Sequence, residues 1–123
     1  MISGEEYVNG IRYPDSISRG AHPIDIHSST GATQSVTFLK QAAYVPYRAL
    51  VANGFPNLLG AGRCISADRQ AFASLRVQAS CMGMGQAAGV AAAQAVQGKK
   101  EVNVLQLDTD RLTSRLREIG ACL

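Results

Sequence analysis

The residues whose types and spacing carry the most chemistry lie between positions 57 and 93, in NLLGAGRCISADRQAFASLRVQASCMGMGQAAGVAAA. A short apolar run delivers Gly62 and Arg63 to a turn, and about twenty residues later Gly83 and Gly85 open an alanine-rich segment. A helix starting there has unpaired backbone N–H groups and the positive end of its dipole in its first turn, which attract an anion or a partly negative carbonyl oxygen. Glycines at the entry let such a group approach the backbone with no Cβ in the way. Arg63, directly after a glycine-ended buried strand, adds a cation suited to a phosphate. The chemistry implied is binding of a phosphate or a flavin. Glycines that only let helices pack closely explain the same spacing equally well.

Other constellations are thinner. His22, Asp25 and His27 are metal-ligand types, but on a strand Asp25 and His27 share a face while His22 points elsewhere, and no nearby His or Cys completes a site. Structural or substrate-contact roles are expected for them, and no metal. Cys64 follows Arg63 and so could lie near a bound flavin, yet a lone cysteine after a buried strand is ordinarily packing. A redox disulfide between Cys64 and Cys81 is the alternative. No Ser-His-Asp arrangement can be assembled.

Gly83-Met84-Gly85-Gln86-Ala87-Ala88 also matches the letters G-x-G-x-x-G/A. With Val102 to Leu107 as a second strand and Asp108 on a ribose, it reads as a small NAD-type dinucleotide unit. That reading needs a buried strand before Gly83, and Ser74 to Met82 contains Arg76 and Gln78.

The elements that must position these residues divide near Asn57. Residues 1–56 hold all four prolines, all four tyrosines and both histidines, in short runs broken by Gly, Asn, Asp and Ser, and read as strands and loops. Alternation marks Ile24-Asp25-Ile26 and Ser35-Val36-Thr37-Phe38, residues 28–35 form a polar connection, and Ala43 to Val51 is strand-like with Pro46 demoting it towards an edge. Beyond Asn57, the run to Gly62 suits a buried strand, with a less regular segment before the helices. Gln86 to Gln97 predicts a helix rich in the best helix former, with Gly98 as its cap. A last helix starts at Asp108-Thr109 and presents Leu112, Leu116 and Ile119 on one face before Gly120 stops it.

Composition removes several classes. The chain has 123 residues, 46% hydrophobic and 17% charged, with a net charge of +3, which is one modest folded domain at most. No apolar run is long enough to span a bilayer, and MISGEEYVNG does not resemble a signal peptide. A cytoplasmic location is expected if Met1 is the natural start. Three cysteines without a C-x-x-C read as reduced, packed thiols. The arginines are scattered with no aromatics between them, so nucleic acid is not an expected partner.

Taken together, Tyr47-Arg48, NLLGAGRCIS, Ala73-Ser74-Leu75-Arg76 and Met84-Gly85-Gln86-Ala87-Ala88-Gly89 resemble the C-terminal part of FAD-dependent oxidoreductases of the glutathione-reductase-like flavoprotein class. DSISRGAHPIDIHSSTG and the closing leucine-rich helix extend the resemblance over nearly the whole chain. It implies an α/β fold, or α+β for these residues alone, with strands in the first half and helices in the second: a partial FAD/NAD(P)-binding domain with a piece of the substrate domain. It places residues 1–47 in the substrate domain and 48–123 in the C-terminal part of the FAD domain. It puts Gly62, Arg63, Met84, Gly85, Gln86 and Ala87 at FAD, and makes His22, His27 and Arg76 the catalytic candidates toward an unknown small-molecule substrate. Such enzymes begin with a strand and a G-x-G-x-x-G turn that hold the ADP half of the cofactor, and no such unit precedes residue 57. The chain therefore resembles a C-terminal fragment, expected to hold FAD weakly or not at all alone and to pair with the missing N-terminal region or with a second copy. A non-catalytic interaction domain derived from such an enzyme is the remaining alternative.

Overall fold

The structure, a computed structural model, describes residues 1–27, 34–97 and 102–123. Strands occupy the first half and most helix lies in the second, a small α+β fold that fits a partial α/β domain. β1 (Ser16–Gly20) pairs antiparallel with β4 (Ala43–Pro46), with an irregularity between Ser16 and Ser18. β2 (Ile24–His27) and β3 (Gln34–Thr37) form an antiparallel hairpin, His27 opposite Gln34. The alternation in the sequence marks these strands; of the polar connection expected over residues 28–35, Gln34 and Ser35 already belong to β3, and residues 28–33 lie outside the described residues, as does Gly98. β4 ends at Pro46, which has no N–H for a ladder, and the chain continues as a 3-10 turn at Tyr47–Ala49 rather than as strand to Val51.

The first half also contains a helix, α1 (Gly4–Val8), which the strand-and-loop reading does not anticipate. Its start is a capping box: Ser3 Oγ accepts from the Glu6 N–H and donates to the Glu6 carboxylate. Asp68 then joins two helices. One of its carboxylate oxygens caps α2 (Arg69–Leu75) by accepting from the Ala71 N–H at 2.8 Å, and the other accepts from the Gly4 N–H at 2.7 Å.

Asn57 to Gly62 is not the buried strand expected. Leu58 is 49% exposed, and the segment is a loop pinned by one bridge between Val51 and Leu59 and by the Gly60 N–H on the Leu50 carbonyl. No partner strand lies beside it among the described residues, so its apolar letters do not make a ladder. It ends in a turn at Gly62, whose φ of +82° lies in the left-handed region that glycine alone enters freely.

The long helix α3 runs over Gln78–Val96. Its start is well before Gln86, because nothing from Gln78 to Met82 breaks a helix and the two glycines are tolerated inside it. Val102 to Leu107 is not a strand but contains a 3-10 turn at Val104–Gln106. That turn is held by the Tyr47 hydroxyl, which donates to the Val104 carbonyl at 2.8 Å, and burial pushes the Tyr47 pKa up to about 12. The last helix, α4 (Thr109–Glu118), is capped by Asp108, which accepts from the Arg111 N–H. It ends with Gly120 at φ +80°, the Gly120 N–H on the Arg117 carbonyl and the Ala121 N–H on the Leu116 carbonyl. Leu112 and Leu116 are fully buried; Ile119, already past the last turn, is exposed.

One core unites the two halves. Tyr7, Ile17 and Val45 pack in it with Leu75, Met84, Leu112 and Leu116. No helix among the described residues is long and apolar enough to cross a membrane.

Candidate functional site

The stripe Arg69, Phe72, Ala73, Arg76 follows the i, i+3, i+4, i+7 spacing of one helix face, and α2 turns it towards β2. Between them lies a cleft of about 160 Å³ bounded by Asp25, His27, Arg69, Phe72 and Arg76. A second cleft of about 470 Å³ adjoins it, sharing Asp25, Phe72, Ala73 and Arg76 and adding His22, Arg63 and Val77. Residues far apart in the chain and singled out by their types, His22, His27, Arg63 and Arg76, thus line two connected hollows. Arg69 and Phe72 were not among them. The signal for these two was present: an Asp68 cap followed by a single-face spacing.

Each hollow sets two arginines against one carboxylate, Asp25. Among the described residues none of Arg63, Arg69 and Arg76 has a carboxylate within ion-pair distance. Arg63 Nε donates to the Arg76 carbonyl at 3.1 Å, and Arg76 Nη2 donates to the Asp25 carbonyl at 3.3 Å. The Asp25 carboxylate is engaged elsewhere, accepting from Gln34 Nε2 at 2.8 Å and lying 3.0 Å from His27 Nε2. The Gln34 amide, and after it His27, hold the Asp25 carboxyl below its ordinary pKa. His22 Nδ1 sits 2.7 Å from the Pro23 carbonyl. Val77, the N-cap of α3, offers no side-chain acceptor to the first turn. The arrangement therefore attracts an anion, through guanidinium forks and an uncapped helix start.

The turn at Gly62 does meet the start of α3: a Cβ built on Gly62 would lie 3.8 Å from the Cys81 Cβ. The helix start it meets is Val77 to Cys81, not the glycine pair. Gly83 follows five helical residues rather than a buried strand, which removes the NAD-type reading of G-x-G-x-x-A. Its lack of a side chain serves packing, since a Cβ there would stand 2.5 Å from Ser18 Oγ on β1. Met84 and Ala87 are both fully buried in the core. Gly85 and Gln86 face outward, and a Cβ on Gly85 meets nothing within 4 Å.

Gly85 therefore lends itself to a two-sided test. Gly85→Ala is expected to raise the stability of the chain by about 0.5–1 kcal/mol, because alanine is the better helix former and has open space to occupy. If this face of α3 lies against a flavin in a longer protein, the same methyl weakens flavin retention there. Urea denaturation of the chain and flavin content of the longer protein give the two readings. A destabilised chain would show that Gly85 is not the open position described.

The three cysteines are free thiols; Cys64 and Cys122 are exposed and only Cys81 is partly packed, so the packed-thiol expectation holds for one of three. Cys81 Sγ approaches the Leu75 and Arg76 carbonyls at 3.8 and 3.7 Å, and Cys64 Sγ turns to the Ala61 carbonyl.

Comparison with known proteins gives one match. The sequence profile of the family described as FAD dependent oxidoreductase matches residues 1–116, nearly the whole chain. The chain belongs to that family. No curated protein and no solved structure shows significant similarity to it.

Proposed function

We propose that this FAD-dependent oxidoreductase family member is the C-terminal portion of a longer flavoprotein of the glutathione-reductase-like class, and that the hollow between Gly62-Arg63, Arg76 and the start of α3 faces its flavin. The observation that carries the reading is the convergence of two arginines, Arg63 and Arg76, neither ion-paired among the described residues, on an uncapped helix start. This donor set fits the anionic parts of FAD: guanidinium groups and free backbone N–H groups are the usual partners of a pyrophosphate. When bound, the flavin supplies the hydride chemistry. The chain's own residues hold and orient: Arg63 and the α3 start bind negative charge, Arg76 sets a cation beside the reacting region, and the His22 and His27 imidazoles line the hollows, within reach of a substrate.

The fragment reading is supported by what the fold lacks. Among the described residues both strand pairs are antiparallel, with no β-α-β unit for the ADP half. In this reading residues 1–47 belong to the substrate side and 48–123 to the FAD domain, and the missing region or a second copy covers exposed apolar residues such as Phe38, Phe55 and Met82. A cytoplasmic location goes with it, given free thiols and a flavin cofactor.

The test is visible flavin absorbance. A protein extended through its N-terminal region is expected to purify with about one FAD per chain, and the 123-residue chain without it. A colourless extended protein that stays so after incubation with FAD would favour a non-catalytic domain derived from such an enzyme.

A further inference from the structure

We infer that the cleft between β2 and α2 binds a small organic carboxylate. As the substrate subsite of an oxidoreductase this rests on the flavoprotein reading; as a carboxylate site it does not.

Arg69 and Arg76 stand at the two ends of one stripe of α2, with Phe72 and Ala73 between them. A guanidinium presents parallel N–H groups in a plane that matches the two oxygens of a carboxylate, and it stays charged throughout the physiological range. Neither arginine has a carboxylate of this chain to satisfy it among the described residues. Asp25 also lines the cleft, and its charge acts on Arg76, but its carboxylate is turned to Gln34 and His27 and makes no ion pair with either guanidinium, so both keep N–H groups free for a ligand.

The remaining walls decide between an organic carboxylate and an inorganic oxyanion. Ile26, Phe72 and Ala73 are apolar, and a bare oxyanion has nothing to bury against them. A molecule with a charged end and a flat or aliphatic body fills both parts, in the way small-molecule sites combine apolar walls with a few polar groups. The volume of about 160 Å³ corresponds to about five waters at ~30 Å³ each. That suits a small acid within this cleft. The adjoining larger hollow, reached past Arg76, is where the reacting end of such an acid would meet the flavin side.

The probe is benzoate, titrated into the 123-residue chain by calorimetry and followed by backbone amide shifts, with benzamide and inorganic phosphate as comparisons. Saturable benzoate binding that moves the amides of residues 25–27 and 69–76 is expected, with benzamide weaker by roughly tenfold or more because it lacks the charge. Arg69→Gln and Arg76→Gln should each weaken benzoate by a similar factor, while Arg111→Gln, on α4, should not. Arg69 is exposed, so its variant keeps the fold even if the Arg76 variant does not. The proposal is overturned if benzamide binds as well as benzoate, if phosphate binds as tightly and moves the same amides, or if Arg69→Gln binds benzoate like the wild type. FAD content of the extended protein is scored separately. Flavin present with no benzoate site sinks this inference alone, and a benzoate site in a protein that never takes FAD sinks the flavoprotein reading alone.

Discussion

Met84→Ala is expected to lower the stability of the chain by about 2–5 kcal/mol, the usual cost of removing a fully buried large side chain, read as a shift of the urea midpoint with little change in slope. The buried stripe of α3 consists of Ser80, Met84, Ala87, Ala91 and Ala95. Four of these are small, so Met84 is the large, fully buried side chain that this helix places in the core that Tyr7, Ile17, Leu75, Leu112 and Leu116 also build. Small domains are stable by only about 5–15 kcal/mol in total, and the loss is therefore a large fraction of what holds the chain folded. The family resemblance places Met84 at FAD, and the conservative variant separates the two roles. Met84→Leu keeps the volume and should cost less than about 1.5 kcal/mol; if it also leaves flavin content of the extended protein unchanged, Met84 acts through the core. A Met84→Ala chain with an unaltered midpoint would show that the residue is not the filler described.

The difference between what the letters say and what the chain does is concentrated at glycines and at apolar runs. The α4 helix is legible at both ends because its signals are local: Asp108 caps the first turn and Gly120 stops the last one with no help from elsewhere. Ser3 and Glu6 form an equally local signal, the S-x-x-E box, which a strand-rich surrounding composition masks. The start of α3 is not legible in the same way. Gly83 has the look of a helix entry, but its meaning depends on Ser18, far away in sequence, against which it packs. Leu58 and Leu59 look like buried strand, yet only Leu59 finds a partner, in one bridge to Val51, and Leu58 stays exposed. The convergence of His22, His27, Arg63 and Arg76 is likewise tertiary: the residue types suggest anion and proton chemistry, but only the packing of α2 on β2 brings them to shared hollows.

In the extended flavoprotein, Arg63→Ala is expected to lower FAD affinity by roughly tenfold to a hundredfold, the range for losing a charge-assisted hydrogen bond, with almost no change in stability. The two effects part because Arg63 is exposed and, among the described residues, makes a single side-chain bond, to the Arg76 carbonyl. Its stability contribution is small, whereas its charge, set beyond the Gly62 turn beside the start of α3, has no carboxylate partner among the described residues. Arg63→Lys should recover part of the affinity, since it restores the charge but not the planar fork. Arg76 should behave differently. It lies deeper, holds the Asp25 carbonyl, and is shared by both hollows, so Arg76→Ala is expected to lower the flavin midpoint potential by removing a cation that favours the reduced, anionic flavin. FAD retention on gel filtration and a redox titration of each variant decide the assignment. Arg63→Ala that keeps FAD at wild-type affinity removes the Gly62 turn from the cofactor site; Arg76→Ala with an unchanged potential and unchanged turnover leaves that guanidinium with a structural role, tying α2 to β2.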